Sequence, residues 1–241
     1  PVCPFPWMSW RRSTSPIVST LPRKVMLART MAEPRGSGQA EEPLNFGTDS
    51  MGSEVFAVRH PDVLERLDTM VTADLVGHAV GGAALPDEVR NSLFVLGAET
   101  AGGLAEIVDA RATRPGLVVR RLDGDVIPPL SDYDAFNRRK VPFLFLSCGH
   151  SPVYHLPTDH PDLLDFDKME RTADFLTEVV CGRAQERSLG PYRPGAHDDV
   201  ATGSTALEIV RALPLAGDLA PGLERFVARA RQGLVTAEER A

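Results

Sequence analysis

The sequence predicts an α/β fold: a three-layer arrangement in which helices flank a mostly parallel central sheet. Three observations predict it. Short apolar runs alternate with amphipathic stretches, the order that layered strands and helices produce. The run Val141–Ser147 (VPFLFLS) is apolar almost throughout, as in a strand buried on both faces. The stretch Asp167–Val180 places Met169, Ala173, Leu176 and Val180 on one helical face.

The elements follow in order. Residues 1–40 crowd Pro, Arg, Ser and Gly, sustain no period of 2 or 3.6, and are expected to be disordered or poorly packed. A helix is predicted over Ser50–Val58, after the capping cluster Thr48-Asp49-Ser50. Met70–Val76 (MVTADLV) and Leu93–Leu96 read as strands, and Ala98–Ala112 as a helix opened near Thr100. Leu117–Leu122 (LVVRRL) is a further strand. A polar linker rich in Arg, Gly and Pro runs from Cys181 to about Ala196, and helices are predicted over Thr205–Leu213 and Leu219–Gln232. The organisation is therefore 1–40 as an N-terminal segment, 41–182 as the α/β domain, and 183–241 as linker and helical extension.

Composition narrows the function classes. The 241 residues are 43% hydrophobic and 24% charged, and the formal net charge is -7. An acidic chain is a poor ligand for nucleic acid or an anionic membrane surface, so neither is expected as a partner. No apolar run approaches the roughly 18 residues of a membrane span. The three cysteines, Cys3, Cys148 and Cys181, lie far apart without a CxxC, and read as buried or incidental thiols. Oligomeric state and compartment are not legible. A first residue of Pro1 rather than Met reads as the sign of a fragment or a processed chain.

Four segments carry chemistry. Asp74 stands in an apolar stretch, Thr72-Ala73-Asp74-Leu75-Val76, where a carboxylate needs a partner, a metal, or an exposed strand end capping a turn at Gly77. His155 follows the buried strand at the end where α/β sheets collect ligand-binding residues, and Pro157 stiffens its loop. A structural hydrogen-bonding histidine is the plainer alternative. Glu41-Glu42 could split into one ligand and one free base, because adjacent side chains diverge, or could be a solvated face. The fourth segment is Ser131-Asp132-Tyr133-Asp134-Ala135-Phe136.

Taken in order, EEP, MGS, DLVG, SDYDAF, VPFLFLS and YHLPTDHPDLLDFDKM resemble the co-catalytic zinc aminopeptidase family, from Glu41 to Val180. The last segment is the most specific. The resemblance implies a zinc-exopeptidase fold, incomplete on its N-terminal side, that hydrolyses N-terminal peptide bonds of a peptide substrate through a metal-activated water. It implies two zinc ions, with Glu41 as general base, Glu42 and His155 as ligands of one ion, and Asp74 as a ligand of the other. Asp132, Tyr133, Tyr154 and Asp159 fall in the substrate pocket or behind the ligands. Asp159 is expected to hold the His155 loop by hydrogen bonds, and Tyr133 replaces the family's usual histidine.

Two further family ligands, a His in an HxD segment and a bridging Asp, are not visible before Glu41. The segment Gly195-Ala196-His197-Asp198-Asp199-Val200-Ala201-Thr202-Gly203 faintly resembles the bridging one; a helix N-cap cluster is the favoured reading. His78 and His150 are expected to be surface or hydrogen-bonding residues, with a role behind the ligands as the alternative; His60 and His160 stay unassigned. Two other functions remain open: a metal-free binding or scaffold module of the same fold, and an acyl transferase of the glutaminyl cyclase type.

Overall fold

The structure is a computed structural model that describes residues 24–28, 51–129, 131–185, 189–213 and 217–240. Glu41 and Glu42 lie outside the described residues, as does most of the 1–40 segment. Strands β1 (Lys24–Ala28), β2 (Leu67–Ala73), β3 (Ser92–Leu96), β4 (Thr113–Arg114), β5 (Leu117–Leu122) and β6 (Phe143–Ser147) form one sheet in the order β1-β2-β6-β3-β5-β4. Helices α1 (Met51–Arg59), α2 (Pro61–Leu64), α3 (Asp87–Arg90), α4 (Leu104–Asp109), α5 (Tyr133–Asn137), α6 (Phe166–Gln185), α7 (Asp199–Ala212), α8 (Ala220–Ala230) and α9 (Ala237–Arg240) complete it. No helix among the described residues is long and apolar enough to cross a membrane.

Strand β6 explains the layering. All five of its residues are buried, because successive side chains leave opposite faces of a strand. Leu144 and Leu146 join Val71, Val95, Leu104, Val108 and Phe175 on the face covered by α4 and α6. Phe143 and Phe145 join Met70, Leu96, Tyr133 and Phe136 on the face covered by α5. Helix α1 packs against α5 on that second face, where Glu54 pairs with Arg138 and Arg139.

The sheet is mixed rather than mostly parallel. β1, β2 and β6 run parallel, and β3 and β5 run parallel to each other, but β3 meets β6 antiparallel and β4 meets β5 antiparallel. The β4–β5 turn holds Gly116 at φ +70°, and such a tight hairpin can only join antiparallel strands. The helix expected over Ala98–Ala112 is broken: Ala98–Thr100 is a 3-10 turn, Ala101 is extended, and α4 begins only after Gly102 and Gly103. Paired glycines interrupt the helix because they have no side chain to hold its conformation. Cys181 is disulfide-bonded, which corrects its reading as a thiol; the spacing of isolated cysteines carries no pairing information.

The extension after α6 packs on the β5 edge of the sheet. Thr205 Oγ1 donates to Arg121 O at 3.0 Å, and the buried Arg120 pairs with Glu208. Asp198 is the N-cap of α7 and accepts from Ala201 N at 3.2 Å, so the capping reading of this segment holds.

One glycine is fixed by both conformation and space. Gly97 has φ +86°, and a Cβ there would stand 2.4 Å from Phe143 Cε2. Phe143 is itself stacked on Tyr133 with centroids 4.5 Å apart, and has nowhere to move. Gly97→Ala is expected to cost about 2 kcal/mol, read as a lower midpoint in urea unfolding.

Candidate functional site

Asp74 is the first residue beyond β2, and its backbone N–H donates to Leu146 O of β6 at 3.0 Å. β2 and β6 are parallel neighbours, so their carboxyl ends open on the same edge of the sheet. The loops that leave those ends are laced together. Cys148 N donates to Leu75 O at 3.2 Å, and Asp165 N donates to Gly77 O at 2.9 Å. His78 Nε2 faces Asp159 Oδ1 at 3.3 Å. The buried Lys168 donates from Nζ to His78 O at 3.2 Å and to Arg90 O at 2.9 Å.

This rim gathers several of the sequence-derived candidates. Ser131 Oγ donates to Asp74 Oδ2 at 3.3 Å, which brings the SDYDAF segment onto Asp74 from 57 residues away. Asp132 heads α5 without capping it through its side chain. Tyr133 lies behind the rim in the core, 2% exposed, with its hydroxyl 3.5 Å from Pro128 O. Burial pushes its phenol up to about 12, and the carboxylates of Asp134 and Asp125 add to this.

On the β6 side, three rings stack in series. His150 lies on Tyr154 with centroids 4.1 Å apart, and Tyr154 lies on His155 at 3.7 Å. His155 is exposed, and its backbone is left-handed at φ +57°. Leu75, next to Asp74, is also left-handed at φ +55°. Non-glycine residues in this region carry strain that surrounding contacts must hold, and such strain gathers at functional sites. Asp159, expected to steady the His155 loop, faces His78 on the β2 loop.

A different group has the ligand spacing of a metal site. Among the described residues, Asp123, Asp125 and His197 are the group of three whose potential ligand atoms all lie within 4.8 Å of one another. Asp123 is the first residue beyond β5. Because β5 runs opposite to β2 and β6, this group sits at the other edge of the sheet from Asp74. The sequence reading singled out His197 but missed Asp123 and Asp125. The available signal was two carboxylates flanking Gly124 directly after the strand Leu117–Leu122.

No protein-family pattern matches the chain, and no curated protein matches it. Solved structures similar to it include those of aminopeptidases. A Legionella pneumophila LapA aminopeptidase structure has a TM-score of 0.47 at 17% identity, covering 58% of this chain and 37% of that one. A second LapA structure has a TM-score of 0.46 at 15% identity, covering 59% and 39%. The aminopeptidase from Aneurinibacillus sp. strain AM-1 has a TM-score of 0.40 at 19% identity, covering 62% and 32%. The chain thus spans between about a third and two fifths of these proteins' lengths.

Proposed function

We propose that this chain carries a zinc-dependent exopeptidase domain of aminopeptidase type, acting on the N-terminal peptide bonds of a peptide substrate. The observation that supports it most is the rim itself. Asp74 and His155, two of the ligands implied by the sequence resemblance, stand on laced loops at the carboxyl ends of adjacent parallel strands, with Ser131 bonded to Asp74. A hydrogen bond of that kind orients a liganding carboxylate.

The donors fit zinc in kind but not in number. Carboxylate and imidazole both suit zinc. A zinc centre takes at least three protein ligands, and Asp74 and His155 are the two proposed among the described residues. Glu42 is the proposed third, with Glu41 as the base, and both lie outside the described residues. What the described groups supply is a carboxylate that accepts from Ser131 and an imidazole on a loop with left-handed backbone at His155.

The shortfall in ligands favours a second reading, a metal-free binding module on the same fold. Zinc content by elemental analysis, combined with hydrolysis of an aminoacyl-nitroanilide, separates the two. The expected result is bound zinc and turnover, with at least about tenfold of both lost in Asp74→Asn and in His155→Ala. A folded chain whose zinc content and turnover are indifferent to both substitutions rules out the exopeptidase reading. Cyclisation of an N-terminal glutamine peptide in place of hydrolysis would assign the acyl-transferase alternative.

A further inference from the structure

We infer that His150 is a positioning residue for His155: acting through Tyr154, its ring sets the orientation of the imidazole assigned above to zinc. The purpose of that orientation rests on the exopeptidase reading; the geometry that produces it does not.

The segment that carries His150 is tied to the sheet. Directly after β6, Cys148 N donates to Leu75 O at 3.2 Å, and Gly149 N donates to Ser147 Oγ at 3.0 Å. Gly149 has φ +73°, and this left-handed turn bends the chain as it leaves the strand. His150 therefore starts from a fixed base, although its residue is exposed.

His155 stands on a different footing. It is exposed, and the backbone bonds on either side of it close within the loop: Tyr154 N donates to Ser151 O at 3.1 Å, and Leu156 N to Val153 O at 2.9 Å.

The rings join the two. His150 lies 4.1 Å from Tyr154 between centroids, with the planes 17° apart, and Tyr154 lies 3.7 Å from His155, with the planes 25° apart. Two rings this close cannot share one face of a third, so the half-buried Tyr154 is held between the two imidazoles. Stacking of this kind holds His155 by its face. It sets the plane of the ring and uses neither nitrogen, whereas a hydrogen bond would occupy one. That difference matters to a ligand, because the nitrogen lone pair lies in the ring plane and coordination tolerates little error in its aim.

The test compares the full chain with His150→Ala, which removes the ring, and with His150→Phe, which keeps a ring without the nitrogens. In the metal-free proteins the His155 ring protons are followed by NMR, since a stacked Tyr154 shifts them upfield. The expected result is a move toward the position of an unstacked histidine in His150→Ala, and no move in His150→Phe. Zinc titrated by calorimetry is expected to bind roughly three- to tenfold more weakly to His150→Ala, and as in the parent to His150→Phe. The metal-free thermal midpoint is expected to be the same in all three, which separates the aim of one ligand from support of the fold. Should His150→Ala not fold, His150→Gln, polar but without a ring, takes its place with the same expectation. His155 ring shifts or zinc affinity indifferent to loss of the ring would overturn the inference. So would equal losses in both variants, which assign the role to the His150 nitrogens. A parent chain that binds no zinc removes the exopeptidase reading, and the ring shifts of the metal-free proteins still decide whether His150 orients His155.

Discussion

Glu99→Gln is expected to stabilise the chain by roughly 3 kcal/mol at pH 8 and to leave it almost unchanged at pH 4, with a chelator present. Burial is the largest cause, pushing the Glu99 carboxyl from its ordinary 4.5 up to about 7. Hydrogen bonds from the Glu99 and Gly124 backbone pull it back down, and the neighbouring Asp123 and Asp125 push it up again. The sign follows from proton binding. Between 4.5 and about 7 the folded chain keeps a proton that the unfolded chain has released, so stability falls as pH rises through this window. Below it both states are protonated, and above it both are ionised, so the cost levels off. At about 1.4 kcal/mol for each tenfold difference in proton affinity, the gap amounts to roughly 3 kcal/mol.

Gln has the shape of Glu, can accept Gly124 N as Glu99 does, and carries no charge to bury. In a chain of this length the gain corresponds to a thermal midpoint roughly 6–12 °C higher at pH 8. Thermal unfolding of both proteins at pH 4, 6 and 8 measures it. Two parallel lines with no convergence at low pH would show that Glu99 ionises normally in the folded chain.

Much of the architecture was legible because it depends on local pattern. β5 spans Leu117–Leu122 as read, and β6 begins two residues late: Val141 N turns back to Phe136 O, and Pro142 has no N–H to give a ladder. α7 starts at Asp199, earlier than Thr205, since Asp198 caps it and the intervening Val200, Ala201 and Thr202 are acceptable helix residues. Strand direction was not legible. Alternating strands and helices suggest parallel crossovers, and nothing in the β6 sequence states that β3 lies beside it antiparallel. The two edges of the sheet therefore could not be told apart. Asp74 with Ser131, and Asp123 with His197, meet across separations of 57 and 74 residues, and only the fold brings such pairs together. Lys168 was invisible for a different reason: lysine is almost never fully buried, so no pattern predicts it at 0% exposure in α6.

That lysine carries the second large effect. Lys168→Met is expected to destabilise the chain by about 2–3 kcal/mol and to loosen the loop between β2 and α3. Methionine fills a similar volume, so packing changes little. The hydrogen bonds to His78 O and Arg90 O are lost. Arg90 O still receives Val80 N at 2.9 Å, whereas Lys168 is the donor that reaches His78 O. A buried carbonyl left without a donor costs about 1–3 kcal/mol. Removing the ammonium returns part of this, since burial is the main cause that holds the Lys168 amine below its ordinary pKa; contact with the Cys148 thiol works the other way. The net sign is set by the His78 carbonyl, which loses the ammonium that satisfied it. Urea unfolding measures the stability. Amide exchange at Val80 measures the loop, and is expected to speed up more than exchange at Val95 in the sheet. Uniform acceleration at both positions would mean that Lys168 supports the whole core and not the loop that follows Asp74.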